Sequence, residues 1–511
     1  MLLEATPTTT QTVIREVSAD LETPISVYMK LRGQGPSFLL ESVEGGERIA
    51  RYSFIGVQPR AQYIIRGNEI EVVESESART ITLAENVDPT YFLQEEMSRF
   101  KSPALAPGAS VNPQMGMPRF IGGLVGYMGY ESVRYFEPTL KPSMKRRAPG
   151  EHRDYSERSE QTGERSRSVP DGIYLLADTV IAFDHARRSL SLITNVLDGD
   201  IESANHKLDE IESRINQPLP PVQHRIVQTS KTRSNMTQGK YEDMVRDAQE
   251  HIVAGDIFQV VLSQRFSRET NVEPFDVYRA VRRLNPSPYM FFFDFGRVDD
   301  EPLFIVGSSP EMFVRLEGRT ASIRPIAGTR PRGADAAADV ALAEELLADP
   351  KERAEHVMLV DLSRNDFGRV CEYGTVKVSD FFTIEKYSHV MHIVSHVEGK
   401  LRPEFTAFDL VRAAFPHGTV SGAPKVRALE IIAELEPDAR GAYAGMVGYF
   451  GFDGTMDTCL AIRTMVGQGN TFSVQAGAGI VADSDPSTEF QETVNKASAM
   501  LKAIEMAETN S

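Results

Sequence analysis

The chain has 511 residues, a length typical of about two to four domains. Its 55 basic and 72 acidic side chains give a formal net charge of −17, and a net acidic surface argues against nucleic acid as a partner. The sequence shows no secretory signal and no run of about 18 apolar residues, and its two cysteines are too few for a disulfide scaffold, so we expect a cytoplasmic protein without a membrane segment.

Residues 1–225 form the first predicted part of the chain, which is rich in strands and has a helix near residues 201–215. Within it, residues 141–168 hold few sizeable apolar side chains, which predicts a charged surface insertion. Residues 217–238 have the proline-rich and polar composition of a linker, so we place a boundary near residue 225.

Residues 226–511 form the second predicted part, which mixes helices and strands. Apolar residues at helical spacing predict a helix up to Gly255, and β-branched and aromatic runs predict strands at 257–266, 289–295 and 312–316. Because helices and strands do not alternate strictly, we predict an α+β fold built on antiparallel sheet.

Two predicted helices each carry a pair of carboxylates. Asp349 and Pro350 are typical of a helix start, and Glu352 is placed for a capping box. Glu355 falls on the apolar face of that helix, where either a divalent cation or a basic residue could balance its charge. On the last helix, from Pro486, the carboxylates are Glu489 and Glu492. The predicted apolar face of this last helix consists of Phe490, Val494, Ala497, Leu501 and Ile504.

The second pair has an ordinary interpretation as well, because Glu492 and Lys496 are spaced for a surface ion pair. Two helices that both offer carboxylates nevertheless suit Mg²⁺, which prefers oxygen ligands. The glycine-rich run at 475–480 could approach a ligand closely, but it also suits a tight strand-to-helix turn. His392 and His396 lie on a predicted strand about 13 Å apart, so they cannot share a metal ion.

Seven segments, in chain order, resemble motifs of the chorismate-utilising enzyme family. They are residues 39–42, 285–290, 308–311, 324–329, 352–366, 417–425 and 475–496. Within that family the chain most resembles the large subunits of anthranilate synthases. The resemblance implies antiparallel sheets sandwiched together with helices outside. It also implies a lyase that converts chorismate and ammonia to anthranilate and pyruvate, the first committed step of L-tryptophan biosynthesis.

The resemblance also implies roles for individual residues. Glu311 matches the general acid that protonates the departing hydroxyl of chorismate, and His392 matches the histidine assigned to pyruvate elimination. The implied Mg²⁺ site consists of Glu355 and Glu492, supported by Glu352 and Glu489. The implied substrate-binding residues are Gly328, Thr329, Thr419, Tyr443, Arg463, Gly477, Ala478, Gly479 and Lys496.

Two positions discriminate between members of this family. Gln259 stands where relatives that add water carry a lysine, and because glutamine is not a base, it favours addition of ammonia. Ala327 stands where aminodeoxychorismate synthases carry a lysine, which favours anthranilate as the product. The alternatives are an aminodeoxychorismate synthase component I and, from another class, a non-catalytic tryptophan sensor.

The resemblance finally implies partners and regulation. Neither cysteine lies in the glycine-rich turn of a glutaminase nucleophile, which implies a separate glutamine amidotransferase subunit in a heterodimer or heterotetramer. The N-terminal part is expected to contribute a site for inhibitory L-tryptophan, and residues 226–511 to form the chorismate-binding catalytic domain. The implied tryptophan-site residues are Glu41, Ser42, Pro288, Tyr289 and Met290.

Overall fold

The computed structural model describes residues 11–42, 51–75, 77–85, 87–100, 104–105, 117–144, 169–197, 199–221, 226–387 and 390–509. Most of the predicted charged insertion, residues 145–168, lies outside the described residues, as does the predicted boundary near residue 225. No helix in the part of the chain that the structure describes is both long and apolar enough to span a membrane.

The described residues form the following strands and helices. The strands before residue 225 are β1 (Gln11–Ser18), β2 (Ser37–Glu41), β3 (Tyr52–Val57), β4 (Ala61–Arg66), β5 (Glu69–Glu74), β6 (Ala78–Thr82), β7 (Ala104–Leu105), β8 (Gly123–Met128), β9 (Gly172–Ala177), β10 (Thr179–Asp184) and β11 (Ser189–Val196). The later strands are β12 (Arg233–Ser234), β13 (Gln259–Glu269), β14 (Tyr289–Val298), β15 (Glu301–Ser309), β16 (Met312–Glu317), β17 (Thr320–Ile323), β18 (Ile326–Pro331), β19 (Lys377–Lys386), β20 (Val390–Lys400), β21 (Gly422–Ala423), β22 (Met446–Gly451), β23 (Met456–Leu460), β24 (Thr464–Gln468) and β25 (Thr471–Ile480). The α-helices are α1 (Pro24–Leu31), α2 (Thr90–Ser98), α3 (Val133–Phe136), α4 (Ile201–Ile215), α5 (Gln238–Val253), α6 (Pro274–Leu284), α7 (Ala336–Ala348), α8 (Pro350–Gly368), α9 (Ala407–Ala414), α10 (Lys425–Leu435) and α11 (Pro486–Thr509).

These strands form two large sheets. The first sheet runs in the order β12-β13-β25-β24-β15-β14-β2-β3-β10-β11-β1-β7, with β21 also paired to β13. The second runs β18-β20-β17-β16-β23-β22-β8-β9-β4-β5-β6, with β19 also paired to β20. Apart from the short parallel pair of β1 and β7, the pairs between described strands are antiparallel, so the predicted antiparallel sheet is confirmed.

Both sheets take strands from both sides of residue 225. In the first sheet β14 pairs with β2, which sets Met290 opposite Glu41. In the second sheet β22 pairs with β8, which sets Met446 opposite Met128. The two predicted parts of the chain therefore share both sheets. Their assignment to regulation and catalysis stays a prediction.

Strand β14 shows how one strand serves two apolar layers. Phe291 and Phe293 belong to the cluster that fills the space between the two sheets. Met290 and Phe292, the alternate residues, belong to the cluster under α1, α4, α6 and α11. Because successive side chains of a strand point to opposite faces, this alternation places helices outside a sandwich of sheets.

Local chemistry explains where the carboxylate-bearing helices begin. Asp349 caps α8 by accepting a hydrogen bond from the Glu352 amide at 3.2 Å, and Pro350 takes the first helical position, as predicted. The buried face of α11, however, differs from the predicted one, since Phe490 and Val494 are only partly buried. Its buried residues are Glu489, Thr493, Ala497, Met500, Ala503, Ile504 and Ala507. The helix contacts α5, α6 and β25, so neighbours on several sides decide which side chains are covered.

Candidate active site

Glu311 lies buried in the short connection between β15 and β16. Its Oε1 accepts a hydrogen bond from the Thr419 hydroxyl at 2.8 Å, and the Ile326 amide donates to the same carboxyl group. Burial raises the pKa of Glu311 to about 8, and these hydrogen bonds and the charge of Lys496 offset only part of that rise. Glu311 is therefore protonated at neutral pH and can donate a proton.

His392 lies on β20 with its Nδ1 2.8 Å from the Gly328 carbonyl oxygen and 3.2 Å from the Thr329 hydroxyl oxygen. Because a carbonyl can only accept, Nδ1 carries the hydrogen, and Nε2 of the neutral ring is left as the acceptor. Burial lowers the pKa of His392, and the charge of Arg463 acts in the same direction. The ring is therefore a neutral base at pH 7.

Strand β18 brings this acid and this base together. The Ile326 amide donates to Glu311, and the Gly328 carbonyl, two residues later, accepts from His392. The strand is not regular here, because Gly328 has a φ of 66° and the pairing of β18 with β20 shifts register between Ala327 and Arg330. The proton donor and the proton acceptor therefore both hydrogen-bond to the edge strand of the second sheet, at main-chain groups two residues apart.

Two cations lie beside these groups. Arg463 follows β23 with a φ of 49°, an uncommon conformation for a residue other than glycine, and its guanidinium donates to the Lys496 carbonyl oxygen at 3.2 Å. Lys496 Nζ in turn donates to the Gly477 carbonyl oxygen at 3.0 Å, and the Gly477 amide donates to the Tyr443 hydroxyl. Four of the predicted substrate-binding residues thus meet, and their two cations suit a dianion.

The glycine-rich run lies within β25 and not in a strand-to-helix turn. A side chain at Gly477 would come within 2.7 Å of the Tyr443 hydroxyl, and one at Gly479 within 2.6 Å of the Gln259 amide nitrogen. Only glycine allows these close approaches. Ala478 faces the opposite side of the strand and is buried in an apolar cluster, so its side chain does not reach this site.

The first carboxylate pair lies at the start of α8. Glu355 Oε1 accepts a hydrogen bond from the Gln259 side-chain amide at 3.3 Å. Glu352 Oε1 instead lies 3.2 Å from a guanidinium nitrogen of Arg330. Burial raises the pKa of Glu355, and the negative charge of Glu352 acts in the same direction. This pair therefore carries negative charge that the protein balances only in part.

The second pair lies at the start of α11. Glu489 Oε1 accepts a hydrogen bond from the Ser484 hydroxyl at 2.7 Å. Glu492 lies 2.5 Å from Lys496 Nζ, the predicted ion pair. Burial raises the pKa of Glu489, and Glu492 acts in the same direction.

The two pairs approach each other without closing around one point. Lys351 and Lys496 lower the pKa of both Glu355 and Glu489, so both pairs lie near the same ammonium groups. Among the described residues, no group of three or more His, Cys, Asp or Glu side chains is close enough to hold a metal ion. The donor set still fits Mg²⁺ chemically, because all its ligands are carboxylate oxygens and a cation would stabilise two like-charged pairs.

A cavity of about 450 Å³, termed the aromatic pocket, is lined by strands of both sheets and by residues from both parts of the chain. Its aromatic lining includes Tyr52, Phe54 and Tyr449. The five residues predicted to bind tryptophan all line it: Glu41, Ser42, Pro288, Tyr289 and Met290. The structure thus places residues from two distant stretches of sequence around one cavity.

The polar end of the aromatic pocket has two buried oxygen atoms without partners among the described residues. Glu41 Oε2 accepts hydrogen bonds from the Tyr278 hydroxyl at 2.5 Å and from Arg282 Nε at 3.1 Å. Glu41 Oε1 and the Ser42 hydroxyl are buried without a hydrogen-bond partner among the described residues. Because buried polar atoms nearly always have partners, these two are available to a ligand.

The opposite wall of the aromatic pocket leads toward the acid. Arg315 lies 2.8 Å from Asp457 Oδ2 and 3.1 Å from the Tyr289 hydroxyl oxygen. Arg315 is on β16, which starts directly after Glu311, and Asp457 is on β23, whose last residue, Leu460, donates its amide to the Glu311 carbonyl oxygen at 3.1 Å. Strands β16 and β23 therefore connect the aromatic pocket to the surroundings of Glu311.

Sequence reasoning misses His417 as a neighbour of Glu311. The ring is buried, its Nδ1 accepts a hydrogen bond from the Thr419 amide at 3.2 Å, and the same nitrogen lies 3.7 Å from Glu311 Oε1. Burial lowers the pKa of His417 to about 3, so it stays neutral. Its place two residues before Thr419 in one turn is the signal that could find it.

Residues 35–502 match the family model described as chorismate binding enzyme. The chain belongs to the chorismate binding enzyme family. This chorismate binding enzyme is 43% identical over 504 residues to the anthranilate synthase component 1 of Pseudomonas putida, covering 97% of this chain and 95% of the relative. It is 45% identical over 521 residues to that of Synechocystis sp., covering 96% of this chain and 95% of the relative.

Solved structures agree. The crystal structure of anthranilate synthase component I from Streptococcus pneumoniae has a TM-score of 0.73 and 34% identity, covering 95% of this chain and 98% of that one. A menaquinone-specific isochorismate synthase from Escherichia coli, at 18% identity, shares the fold with a TM-score of 0.67, covering 98% of this chain and 96% of that one. The predicted fold, family and enzyme class are confirmed, and this chorismate binding enzyme groups with the anthranilate synthase component 1 lyases.

Proposed function

We propose that this chain is the chorismate-converting component of an anthranilate synthase, which turns chorismate and ammonia into anthranilate, pyruvate and water. The observation that carries the proposal is that a buried, protonated Glu311 and a neutral His392 both hydrogen-bond to strand β18, at main-chain groups two residues apart. Arg463 and Lys496 beside them suit the two carboxylates of chorismate. The remaining substrate-binding residues are proposed to be Gly328, Thr329, Thr419, Tyr443 and the backbone of Gly477 to Gly479.

In the first proposed step, ammonia adds to the ring as the hydroxyl leaves. A C–N bond forms, a C–O bond breaks, and Glu311 gives its proton to the departing oxygen, which leaves as water. A pKa of about 8 keeps this proton in place at neutral pH and still allows its transfer. Gln259 is not a base, so it does not activate a competing water molecule.

In the second proposed step, the aminated ring loses its enolpyruvyl group. Nε2 of His392 accepts the proton from the ring carbon that bears the amino group, the ether C–O bond breaks, and the ring becomes aromatic. The enolpyruvyl fragment takes up a proton and leaves as pyruvate. The Gly328 carbonyl supports this role, because its hydrogen bond fixes the tautomer of the imidazole.

We also propose Mg²⁺ as cofactor. Its ligands would be Glu355 and Glu492, supported by Glu352 and Glu489. When bound, the ion would neutralise a substrate carboxylate together with these side chains. The raised pKa values of Glu355 and Glu489 support the assignment, since the protein balances the negative charge of each pair only in part.

The ammonia is proposed to come from a glutamine amidotransferase subunit, in a cytoplasmic heterodimer or heterotetramer. Cys371 and Cys459 are both buried. Burial raises the pKa of the Cys371 thiol to about 11 and that of Cys459 well above its usual range, so neither is a nucleophile. The designation component 1 carried by the relatives is consistent with a second subunit.

L-Tryptophan is proposed to inhibit the enzyme from the aromatic pocket, to which the N-terminal part contributes Glu41 and Ser42. The unused Glu41 Oε1 suits the ammonium group of an amino acid, and the surrounding aromatic rings suit an indole.

The test is to incubate the purified chain with chorismate, Mg²⁺ and ammonium, and to follow anthranilate fluorescence. We expect anthranilate from ammonium, and from glutamine only after a glutaminase subunit is added. Chromatography of the products separates anthranilate from aminodeoxychorismate. Absence of product with ammonium would refute the proposed reaction, and glutamine-dependent turnover by the chain alone would refute the separate subunit.

A further inference from the structure

We propose that Arg440 is a positioning residue, which holds the turn that carries Thr419 and, through Thr419, the acid Glu311. The inference rests on the proposed function. Arg440 lies between α10 and β22, in none of the segments that carry the family resemblance, and is only 3% exposed.

The guanidinium of Arg440 uses all three nitrogens. Nε and one terminal nitrogen donate to the Glu436 carboxylate at 2.9 and 2.6 Å. The other terminal nitrogen donates to the Val420 carbonyl oxygen at 2.7 Å, and the first also donates to that of Val261 at 2.7 Å. The planar guanidinium thus fixes two main-chain carbonyls relative to each other, a geometry that lysine cannot reproduce.

These two carbonyls belong to segments of the proposed active site. Val420 ends the short 3-10 turn Gly418–Val420, in which Thr419 donates to Glu311 at 2.8 Å. Val261 lies on β13, and its own amide donates to the Ser421 carbonyl oxygen at 2.9 Å. Arg440 therefore ties the turn to β13 beside a backbone link. A shift of the turn by about 1 Å would break the hydrogen bond to Glu311.

The same ion pair also reaches the substrate-binding side. The Arg440 guanidinium lies 5.5 Å from the ring centroid of Tyr443, whose hydroxyl accepts from the Gly477 amide. Glu436 accepts hydrogen bonds at 2.8 Å from both the amide and the hydroxyl of Ser263, which is paired with Gly477 across β13 and β25. Within this buried pair, Arg440 holds the turn of the acid and Glu436 holds the strand next to the glycine run.

A purely structural ion pair would affect stability but not the proton chemistry of the folded enzyme. The distinguishing readout is the alkaline limb of kcat/KM for chorismate, measured at constant free ammonia. The Thr419 hydrogen bond favours ionised Glu311, so its loss raises the pKa of Glu311 and moves this limb to higher pH. Every variant keeps the other groups that interact with Glu311, among them neutral His417, Lys496, Tyr387 and the Ile326 amide.

The experiment compares Arg440→Lys, Thr419→Val and the double variant. We expect Arg440→Lys to lower kcat about 10- to 100-fold with a smaller change in KM, since misplacing a group near the reacting atoms costs on this order. Its alkaline limb should move upward like that of Thr419→Val, and the double variant should show no further movement. Arg440→Gln, whose side chain keeps one donor group, is measured as a second variant in case Arg440→Lys does not fold.

Two controls separate positioning from stability. Glu436→Gln removes the countercharge but keeps both carbonyls as acceptors, so we expect a lower unfolding temperature with the alkaline limb unmoved. Arg427→Lys, in a partly exposed ion-pair network that joins α10 to Asp256, should change neither the unfolding temperature nor the alkaline limb. An unmoved limb in the folded Arg440 variants, additive shifts in the double variant, or an equal shift in Glu436→Gln would overturn the proposal. A wild-type chain that makes no anthranilate from ammonium would instead refute the proposed function.

Discussion

The candidate active site and the aromatic pocket treat buried charge differently. Glu311 receives hydrogen bonds from a hydroxyl and an amide, has no ion pair with Lys or Arg among the described residues, and has its pKa raised to about 8. In the aromatic pocket, Glu41 is paired with Arg282 at 3.1 Å, and Arg315 with Asp457 at 2.8 Å. Proton transfer needs a carboxyl group whose proton is easily lost and regained, whereas recognition needs charges held in place.

The aromatic pocket and the candidate active site nevertheless share two strands. Arg315 on β16 and Asp457 on β23 line the aromatic pocket, and β16 begins and β23 ends beside Glu311. A ligand that binds one arrangement of these strands better than another would therefore also bias the position of the acid. Each prediction below changes the candidate active site or the aromatic pocket, and the first and the last also measure the effect on the other site.

The largest expected effect is that of Glu311→Gln. A glutamine keeps the shape of the side chain but has no proton to give, so kcat should fall by about 10²- to 10⁴-fold, the usual contribution of a general acid. Tryptophan affinity, measured by a fluorescence titration, should stay within about twofold, because Glu311 does not line the aromatic pocket. Glu434→Gln, at an exposed position of α10, is the matched control. Activity close to that of the wild type would remove Glu311 from the chemistry.

Glu355→Gln and Glu492→Gln should both weaken Mg²⁺-dependent activity by more than the roughly 10- to 100-fold typical of groups that only support metal ligands. Glu352→Gln and Glu489→Gln should weaken Mg²⁺-dependent activity by an amount within that range. The measurements are Mg²⁺ titrations of activity and calorimetric Mg²⁺ binding. Glu344→Gln, exposed on α7, serves as control. Equal effects for all four variants would contradict the division into ligands and supports.

His392→Ala should separate the two steps. If the imidazole acts only in pyruvate elimination, chorismate is still consumed, and the aminated ring that keeps its enolpyruvyl group accumulates. Chromatography of the products at several times decides between the outcomes. Anthranilate formed at the normal rate, or chorismate left untouched, would each be incompatible with this role.

The pH dependence of the wild type follows from the same two groups. Glu311 is active when protonated, so kcat/KM at constant free ammonia should fall about tenfold per pH unit above pH 8. His392 is active when neutral, and burial lowers its pKa, so the acid limb should lie below the ordinary histidine value of about 6.5. An alkaline limb near the ordinary pKa of a glutamate would contradict the burial effect.

How much of the fold could be predicted from the sequence depends on how far apart in sequence the interacting residues are. The start of α8 is local, since Asp349 caps the amides that directly follow it, and the prediction is confirmed. The strand character of the glycine run could not be seen, because its partner strand is distant; Gln475 and Ser263, which bond across it, are 212 residues apart. The predicted buried face of α11 was wrong at Phe490 and Val494 for the same reason, because distant elements pack against this helix.

The candidate site divides in the same way. Motifs name Glu311 and Thr419 from their neighbours in sequence, but the raised pKa of Glu311 comes from burial in the folded chain. Arg440 carries no sequence signal of its own. Its bond to the Val261 carbonyl spans 179 residues, and only the assembled sheet shows that it reaches the turn of the acid.

The smallest expected effect on turnover, and the sharpest test of the comparison, is that of Ser42→Phe. The ring should fill the aromatic pocket, where the Ser42 hydroxyl is buried and unpartnered among the described residues, so more tryptophan should be needed for inhibition while chorismate turnover stays largely intact. Coupling between two sites is reciprocal, so in the wild type chorismate should weaken tryptophan binding, typically by about 1–3 kcal/mol or roughly 5- to 150-fold. The measurement is a tryptophan titration at several fixed chorismate concentrations, with Ser213→Phe on the exposed face of α4 as control. Identical inhibition curves for Ser42→Phe and the wild type would remove Ser42 from the tryptophan site. A wild type that tryptophan does not inhibit would show that the aromatic pocket, although connected to Glu311 by β16 and β23, does not regulate the candidate active site.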